Sequence, residues 1–304
     1  MPEPAATVVV QYRDRRTGRL EAERVFHGEA LAFLYEKWTG RVLARLLTAN
    51  SLFSGGYGWL QRRPASRRKI PRFISALGVD AGEAERPLGD YASLDDFFTR
   101  RLKPGSRPID QDPERLITPA DGRIRVFPRM RDPALEVKRS TVCLEELLGD
   151  RALADHYRDG ALVVIRLAAA DYHRFHFPDS GIASAPRAVG RKLHSVHPIA
   201  LGAGAPSFQN KRMLTRIDSR GFGPMVQIEI GALTVGTIEQ TFVPGAVERG
   251  QEKGFFRFGG SAMVLLAEPG RLQFDEDLLR DSEAGIETLV RMGQSIAKRL
   301  SSVG

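Results

Sequence analysis

The chain has 304 residues, 42% of them hydrophobic, enough to bury a substantial core as one large domain or as a domain with an appendage. Its single cysteine, Cys143, excludes a disulfide scaffold and fits a reducing compartment. A net charge of +8 asks for an anionic partner, and with no nucleic-acid fold signature beside it, nucleic acid is not the expected one.

Residues 6 to 27 predict a strand pair, Thr7 to Tyr12 and a return through Leu20 to Phe26, joined by the turn-like Arg16-Thr17-Gly18. Residues 28 to 80 read as mainly helical, interrupted at Ser54-Gly55-Gly56. An apolar stretch there carries Leu31, Phe33, Leu34, Trp38, Leu43 and Leu47, and a basic cluster follows it: Arg62, Arg63, Arg67, Arg68, Lys69 and Arg72. That arrangement suits an anionic bilayer, where each nearby Lys or Arg contributes about 1 kcal/mol. A helix packed on its own core with a solvated basic loop fits the same periodicity. No cleavable signal is visible at the start, and no apolar run approaches the roughly 20 residues of a membrane span. The expectation is a protein that is soluble or lies on a membrane surface.

Ser93, three residues before Asp96, predicts a helix N-cap and a short helix through Phe97, Phe98 and Arg101. From 115 to 268, short apolar runs punctuated by Gly and Pro, such as Ala161 to Leu167, Met225 to Ile230, Leu233 to Ile238 and Ala262 to Leu266, predict strands. Leu144 to Leu148 and Ala152 to Tyr157 add short helices, and Ser282 to Leu300 has helical spacing at Ile286, Leu289, Val290, Ile296 and Leu300. The fold class expected is α+β: a mostly antiparallel β core, a sandwich or partly closed barrel, with an N-terminal helical membrane-associating region and a C-terminal helix. The expected division is an N-terminal region, 1–92, and a catalytic domain, 93–304.

Chemistry concentrates in three segments. Gly259-Gly260-Ser261 precedes the apolar run Met263-Val264-Leu265-Leu266. A serine with a base beside it can attack the carbonyl carbon of the preceding peptide bond, and a glycine there leaves that carbonyl open. Loss of the acyl group by β-elimination then leaves a dehydroalanine, which hydrolyses to a pyruvoyl group and ammonia. Pro119-Ala120-Asp121-Gly122 offers a carboxylate in a tight turn, and Asp171 to Pro178 contains His173 and His176. A single cysteine and no third ligand nearby argue against a metal at His-x-x-His; a carboxylate that orients a histidine, which deprotonates a serine, is the more economical reading. A three-residue offset puts the two histidines on opposite faces of an extended segment, unless the chain turns after Asp171. Asn210 and Arg212 are candidates for a substrate phosphate, with a strand-edge salt bridge equally open. His194 and His197 either border a lipid site or pack at the surface.

These segments belong to a wider pattern. The block Phe97 to Ile109, the Pro119 to Gly122 turn, the Asp171 to Pro178 block, Phe208 to Arg212, Phe222 to Ile228 and Gly231 to Ile238 resemble, in order, the phosphatidylserine decarboxylase proenzymes. The resemblance implies a self-processing triad of Asp121, His176 and Ser261, with His173 serving decarboxylation. It implies cleavage after Gly260 into a β chain of residues 1–260 and an α chain of 261–304, with a pyruvoyl cofactor formed from Ser261. The implied substrate is phosphatidylserine, converted to phosphatidylethanolamine and carbon dioxide by a peripheral protein on the cytoplasmic side of the cell membrane; a homodimer is implied by the resemblance alone. Two residues depart from the pattern: Ala262 stands where the family has Ser or Thr, and Gln294 where it commonly has Glu. Elimination needs only the Ser261 side chain and a base, so processing is expected to survive. Two alternatives stay open: a soluble pyruvoyl-dependent amino-acid decarboxylase, and a lipid-binding homologue that has lost processing.

Overall fold

A computed structural model describes residues 10–23, 58–130, 134–137, 140–190, 207–232, 237–259 and 261–300. The expected apolar stretch from Leu31 to Leu47, the Ser54 to Gly56 break, His194, His197 and Gly260 lie outside the described residues.

The fold grows from Ala161–Leu167 and Ser261–Ala267, two strands buried along their whole length. Such continuous apolar runs are stable only when both edges are paired and both faces covered. They lie side by side in an eleven-stranded sheet, whose path runs Gly245–Val247, Gly181–Ala183, Arg212–Ser219, Gly223–Gly231, Ser261–Ala267, Ala161–Leu167, Gly122–Phe127, Glu287–Val290, Gln11–Asp14 and Leu20–Ala22. Arg187–Val189 also pairs Arg212–Ser219. Pairing is antiparallel except between Gln11–Asp14 and Glu287–Val290. The predicted N-terminal strand pair is present in its described part, with the first strand at Gln11–Asp14 rather than ending at Tyr12, and it extends the main sheet; residues 7–9 and 24–26 lie outside the described residues. Arg166 ties it down from the middle, donating to Glu23 and Glu287 with all three side chains buried.

Alternation along each strand sends side chains to two different cores. Met263, Leu265 and Ala267 face a layer that includes Phe175, Phe256, Leu116 and Phe274, carried by two three-stranded sheets: Ile238–Gln240 with Glu252–Phe256 and Arg174–His176, and Leu272–Phe274 with Ser295–Arg299 and Arg115–Ile117. Ala262, Val264 and Leu266 face the predicted helices, now Leu144–Leu148 and Arg151–His156. The result is a sandwich-like α+β core whose main sheet, among the described residues, has two ends and does not close into a barrel. A third cluster joins the Ile70–Leu77 and Leu94–Phe98 helices to Phe258. Ser93 caps the second helix as expected, accepting from Asp96 N at 3.1 Å.

The C-terminal helix expected over Ser282 to Leu300 is displaced. The helix is Glu276–Glu283; after it Ile286 N bonds Asp281 O and the chain continues as Glu287–Val290 and Ser295–Arg299. Short apolar clusters fit a helix period and a pair of buried strands equally well. Tertiary pairing decides here, since both strands find partners, in Gly122–Phe127 and in Arg115–Ile117.

Candidate active site

Four central strands end in one row. Ser261 is in register with Gly231 on one side and Leu167 on the other, and Gly122 opens the next strand, one residue before the Arg123–Arg166 pair. Gly122 has to be glycine, because a Cβ there would sit 2.7 Å from the Arg166 carbonyl oxygen. Asp121 and Ser261 thus lie at the same end of the sheet, two strands apart. Ser261 is fully buried, and its Oγ has no hydrogen-bond partner. The approach to it is held from outside: Phe258 N donates to Asp95 Oδ1 at 2.9 Å, Arg257 pairs with Asp95 and Glu239, and Gly259 takes φ +137°, a value that favours glycine.

Beyond Leu167 the chain turns, with Asp171 N bonding Ala168 O and the Asp171 carboxylate accepting from Ala168 N and Arg123. His173 hangs from this turn. Its Nδ1 lies 2.9 Å from Asp171 O, its ring stacks on Phe98 with centroids 3.8 Å apart, and its Nε2 is buried without a partner. A carbonyl oxygen can only accept, so neutral His173 carries its proton on Nδ1 and keeps a lone pair on Nε2. Burial lowers its pKa to about 4, against partial support from Asp171.

His176 follows on the short strand Arg174–His176. The turn after Asp171 lets both histidines be buried in the same segment, yet they face differently. Phe175 and Phe177 enter the inter-sheet core, so the ring between them lies on the other face, near Tyr172 at 5.9 Å and opposite its register partner Glu252. Beyond it, Tyr172 and Glu252 line an open cleft together with Glu85, Arg101 and Thr241. Burial holds the His176 pKa near 4 as well, with Glu252 opposing it. Its backbone N–H donates to Pro119 O at 2.8 Å, which fixes the histidine strand to the Asp121 turn.

The direct carboxylate–imidazole bond expected from the sequence is not made. Asp121 accepts from Arg107 Nε and Nη2 at 2.7 to 3.0 Å and from Met292 N at 2.8 Å, while His176 Nδ1 has no partner. A bidentate guanidinium outcompetes a neutral imidazole for a buried carboxylate. Arg107 lies within the Phe97 to Ile109 block, but nothing in its spacing marks it as the partner of Asp121. Asn210 and Arg212 serve the scaffold: Asn210 Nδ2 donates to Gly231 O beside Ser261, and Arg212 donates to the carbonyls of Glu146, Leu147 and Asn210. These bonds occupy the donors considered for phosphate.

A protein-family model described as phosphatidylserine decarboxylase matches residues 94–298, a span that includes Asp121, His173, His176 and Ser261. The chain is 48% identical over 294 residues to a phosphatidylserine decarboxylase proenzyme of Chlamydia trachomatis serovar L2, covering 96% of this chain and 98% of the relative. Proenzymes of the same description from Chlamydia muridarum and Chlamydia pneumoniae are 49% and 42% identical, covering 96% and 95% of this chain and 98% and 97% of the relatives. The chain belongs to the phosphatidylserine decarboxylase family. Its two departures from the family pattern both have a structural reading. Ala262 is buried in the helix-covered core, so a hydroxyl at that position would project to the face of the sheet opposite Ser261. Gln294 Oε1 accepts from Arg291 N at 2.9 Å, a turn-closing bond that an amide makes without a charge.

Proposed function

We propose that this chain is a self-cleaving proenzyme whose mature form decarboxylates phosphatidylserine to phosphatidylethanolamine. The observation that carries the reading is Ser261: a hydroxyl fully buried and unpaired at the head of a central strand, where an unused polar group is costly, in a chain whose two motif histidines are kept neutral by burial. In the cleavage, His176 takes the Ser261 proton and Oγ attacks the carbonyl carbon of Gly260. The Gly260 to Ser261 C–N bond breaks, the nitrogen takes a proton, and an ester links the two residues. Loss of the Ser261 Cα proton with rupture of the Cβ–O bond frees the Gly260 carboxylate, and water then displaces the nitrogen as ammonia. The pyruvoyl group so formed supplies a carbonyl that takes the substrate amine and an acceptor for the electrons left by departing carbon dioxide. Asp121, fixed by Arg107 and Met292, positions the turn that anchors His176 through Pro119. His173 holds its lone pair at Nε2, where it can take up a proton and return it to the substrate α-carbon.

A second assignment of the base is favoured by one observation. His173, not His176, sits in the turn that directly follows the register partner of Ser261, and Phe256 N bonds its carbonyl oxygen at 2.9 Å. Replacing each histidine separately decides between them, as set out below.

The surface carried by residues 59–72 supports an anionic membrane as partner. Trp59 and Leu60 are half exposed beside the exposed Arg62, Arg63, Arg67, Arg68, Lys69 and Arg72, and the Arg63 guanidinium lies 3.8 Å from the Trp59 ring centroid. The Ile70–Leu77 helix turns Ile70, Phe73 and Leu77 into its own protein, which leaves the basic side outward. Among the described residues, no helix is long and apolar enough to cross a membrane. Purified protein given phosphatidylserine in anionic vesicles should accumulate phosphatidylethanolamine with release of carbon dioxide. Conversion of free serine but not of the lipid would instead establish an amino-acid decarboxylase.

A further inference from the structure

Arg100 follows the Leu94–Phe98 helix and is 4% exposed. A guanidinium stays charged and carries five N–H donors. Here it makes one hydrogen bond, from Nη2 to Ala170 O at 3.2 Å; its guanidinium lies 5.1 Å from the Phe97 ring centroid, and Asp121 and Asp171 act on it only through space, without a hydrogen bond. Its Nε and Nη1 are buried without partners. Other buried arginines are held more fully: Arg107 by Asp121 and Glu83, Arg166 by Glu23 and Glu287, Arg212 by three carbonyls, and Arg123 by Asp171 with its Nε alone unbonded. Among the described residues, Arg100 is the one arginine that leaves two buried nitrogens unbonded. A buried cation held by one neutral carbonyl and no ion pair is destabilising, so its persistence points to a ligand.

Its position says which ligand. Ala170 belongs to the turn between Leu167, the register partner of Ser261, and His173. Phe98, two residues before Arg100, stacks on His173. Arg100 is thus tied through Ala170 and Phe98 to the turn that carries His173, whose Nε2 is open like two of the Arg100 nitrogens.

We infer that Arg100 binds the phosphodiester of the substrate headgroup; this rests on phosphatidylserine being the substrate. The headgroup brings two anions within a few bonds of its amine, a carboxylate and a phosphate. Bonds from Arg100 to the carboxylate would stabilise the charge that must leave it as carbon dioxide is formed, and would slow the reaction. The phosphate keeps its charge throughout, so Arg100 can bind it equally in ground and transition states. That is uniform binding, which lowers KM and leaves kcat unchanged.

The test uses the mature enzyme with Arg100→Gln and Arg100→Lys beside the parent. Arg100→Gln should raise KM for phosphatidylserine about 10- to 100-fold, the range for one or two charge-assisted hydrogen bonds, with kcat held within a few-fold and Arg100→Lys in between. Calorimetric titration with glycerophosphoethanolamine, which has the phosphate but no carboxylate, should lose the same factor, while inorganic phosphate binds the parent more weakly. A fall in kcat with glycerophosphoethanolamine binding unchanged would transfer Arg100 to the carboxylate and overturn the inference. So would inorganic phosphate binding as tightly as the headgroup, unchanged kinetics in Arg100→Gln, or failure of both variants to cleave, which would make Arg100 structural. A parent that cleaves but leaves phosphatidylserine untouched would refute the proposed substrate instead.

Discussion

The two sides of the site treat buried polar groups in opposite ways. On the Asp121 side the ionic groups pair with one another: the carboxylate takes three bonds from Arg107 and one from Met292 N, and Glu83 holds both Arg107 and Arg291. On the Ser261 side, Ser261 Oγ, His173 Nε2 and two nitrogens of Arg100 are buried and unmatched. A satisfied network fixes a turn, whereas an unsatisfied one stores desolvation that a reaction or a ligand can relieve. The comparison assigns framework work to the first side and chemistry to the second.

The largest expected effect lies on the chemical side. His176→Ala should slow self-cleavage by about 10² to 10⁴, the usual share of a positioned base, while His173→Ala should cleave and then fail to decarboxylate. Time-resolved gel analysis reads the first and an assay for carbon dioxide the second; the reverse pattern would move the base role to His173.

The framework side should respond in stability instead. In a Ser261→Ala background, which keeps one chain, Arg107→Met leaves the buried Asp121 carboxylate with a single donor and should cost about 3 to 5 kcal/mol in urea unfolding. Arg100→Gln in the same background should lose no stability and should gain some, because it removes a buried charge that has no ion-pair partner. Equal losses would erase the distinction between the two sides.

A smaller effect is expected from pH. The base must be neutral, and burial keeps both histidines neutral until about 4, so cleavage should stay flat from pH 8 to 6 and fall only towards 4. The unfolded chain takes up those protons near 6.5, so stability declines as pH drops from 6.5 to about 4 and levels off below that. A cleavage midpoint at 6.5 would mean that water reaches the base. Smallest of all, Ser93→Ala should cost about 1 kcal/mol, seen as a lower urea midpoint, by removing the cap of the helix that carries Phe98 onto His173.

What was legible in the sequence was local. The runs Ala161 to Leu167 and Ala262 to Leu266 announced central strands because no charge falls where both faces must be covered, Arg166 apart, and Ser93 announced its helix by cap chemistry. The Gly-Gly-Ser motif was visible, and Gly259 proves to need its backbone conformation. The strands after Glu283 were not legible, because their partners, Gly122–Phe127 and Arg115–Ile117, lie far away in the chain. Arg107 and Arg100 escaped for the same reason: a guanidinium's role depends on which carboxylate or void the fold brings to it. The facing of His176 depends on strand pleat within three residues, finer than any pattern in the sequence resolves.

The most direct test of the central claim is the intact mass of purified protein, wild type beside Ser261→Ala. The account predicts two chains from the wild type, parted between Gly260 and Ser261, with the smaller lighter by the replacement of the serine amine by a carbonyl, and one full-length chain from Ser261→Ala. A single uncut chain in both samples would contradict it.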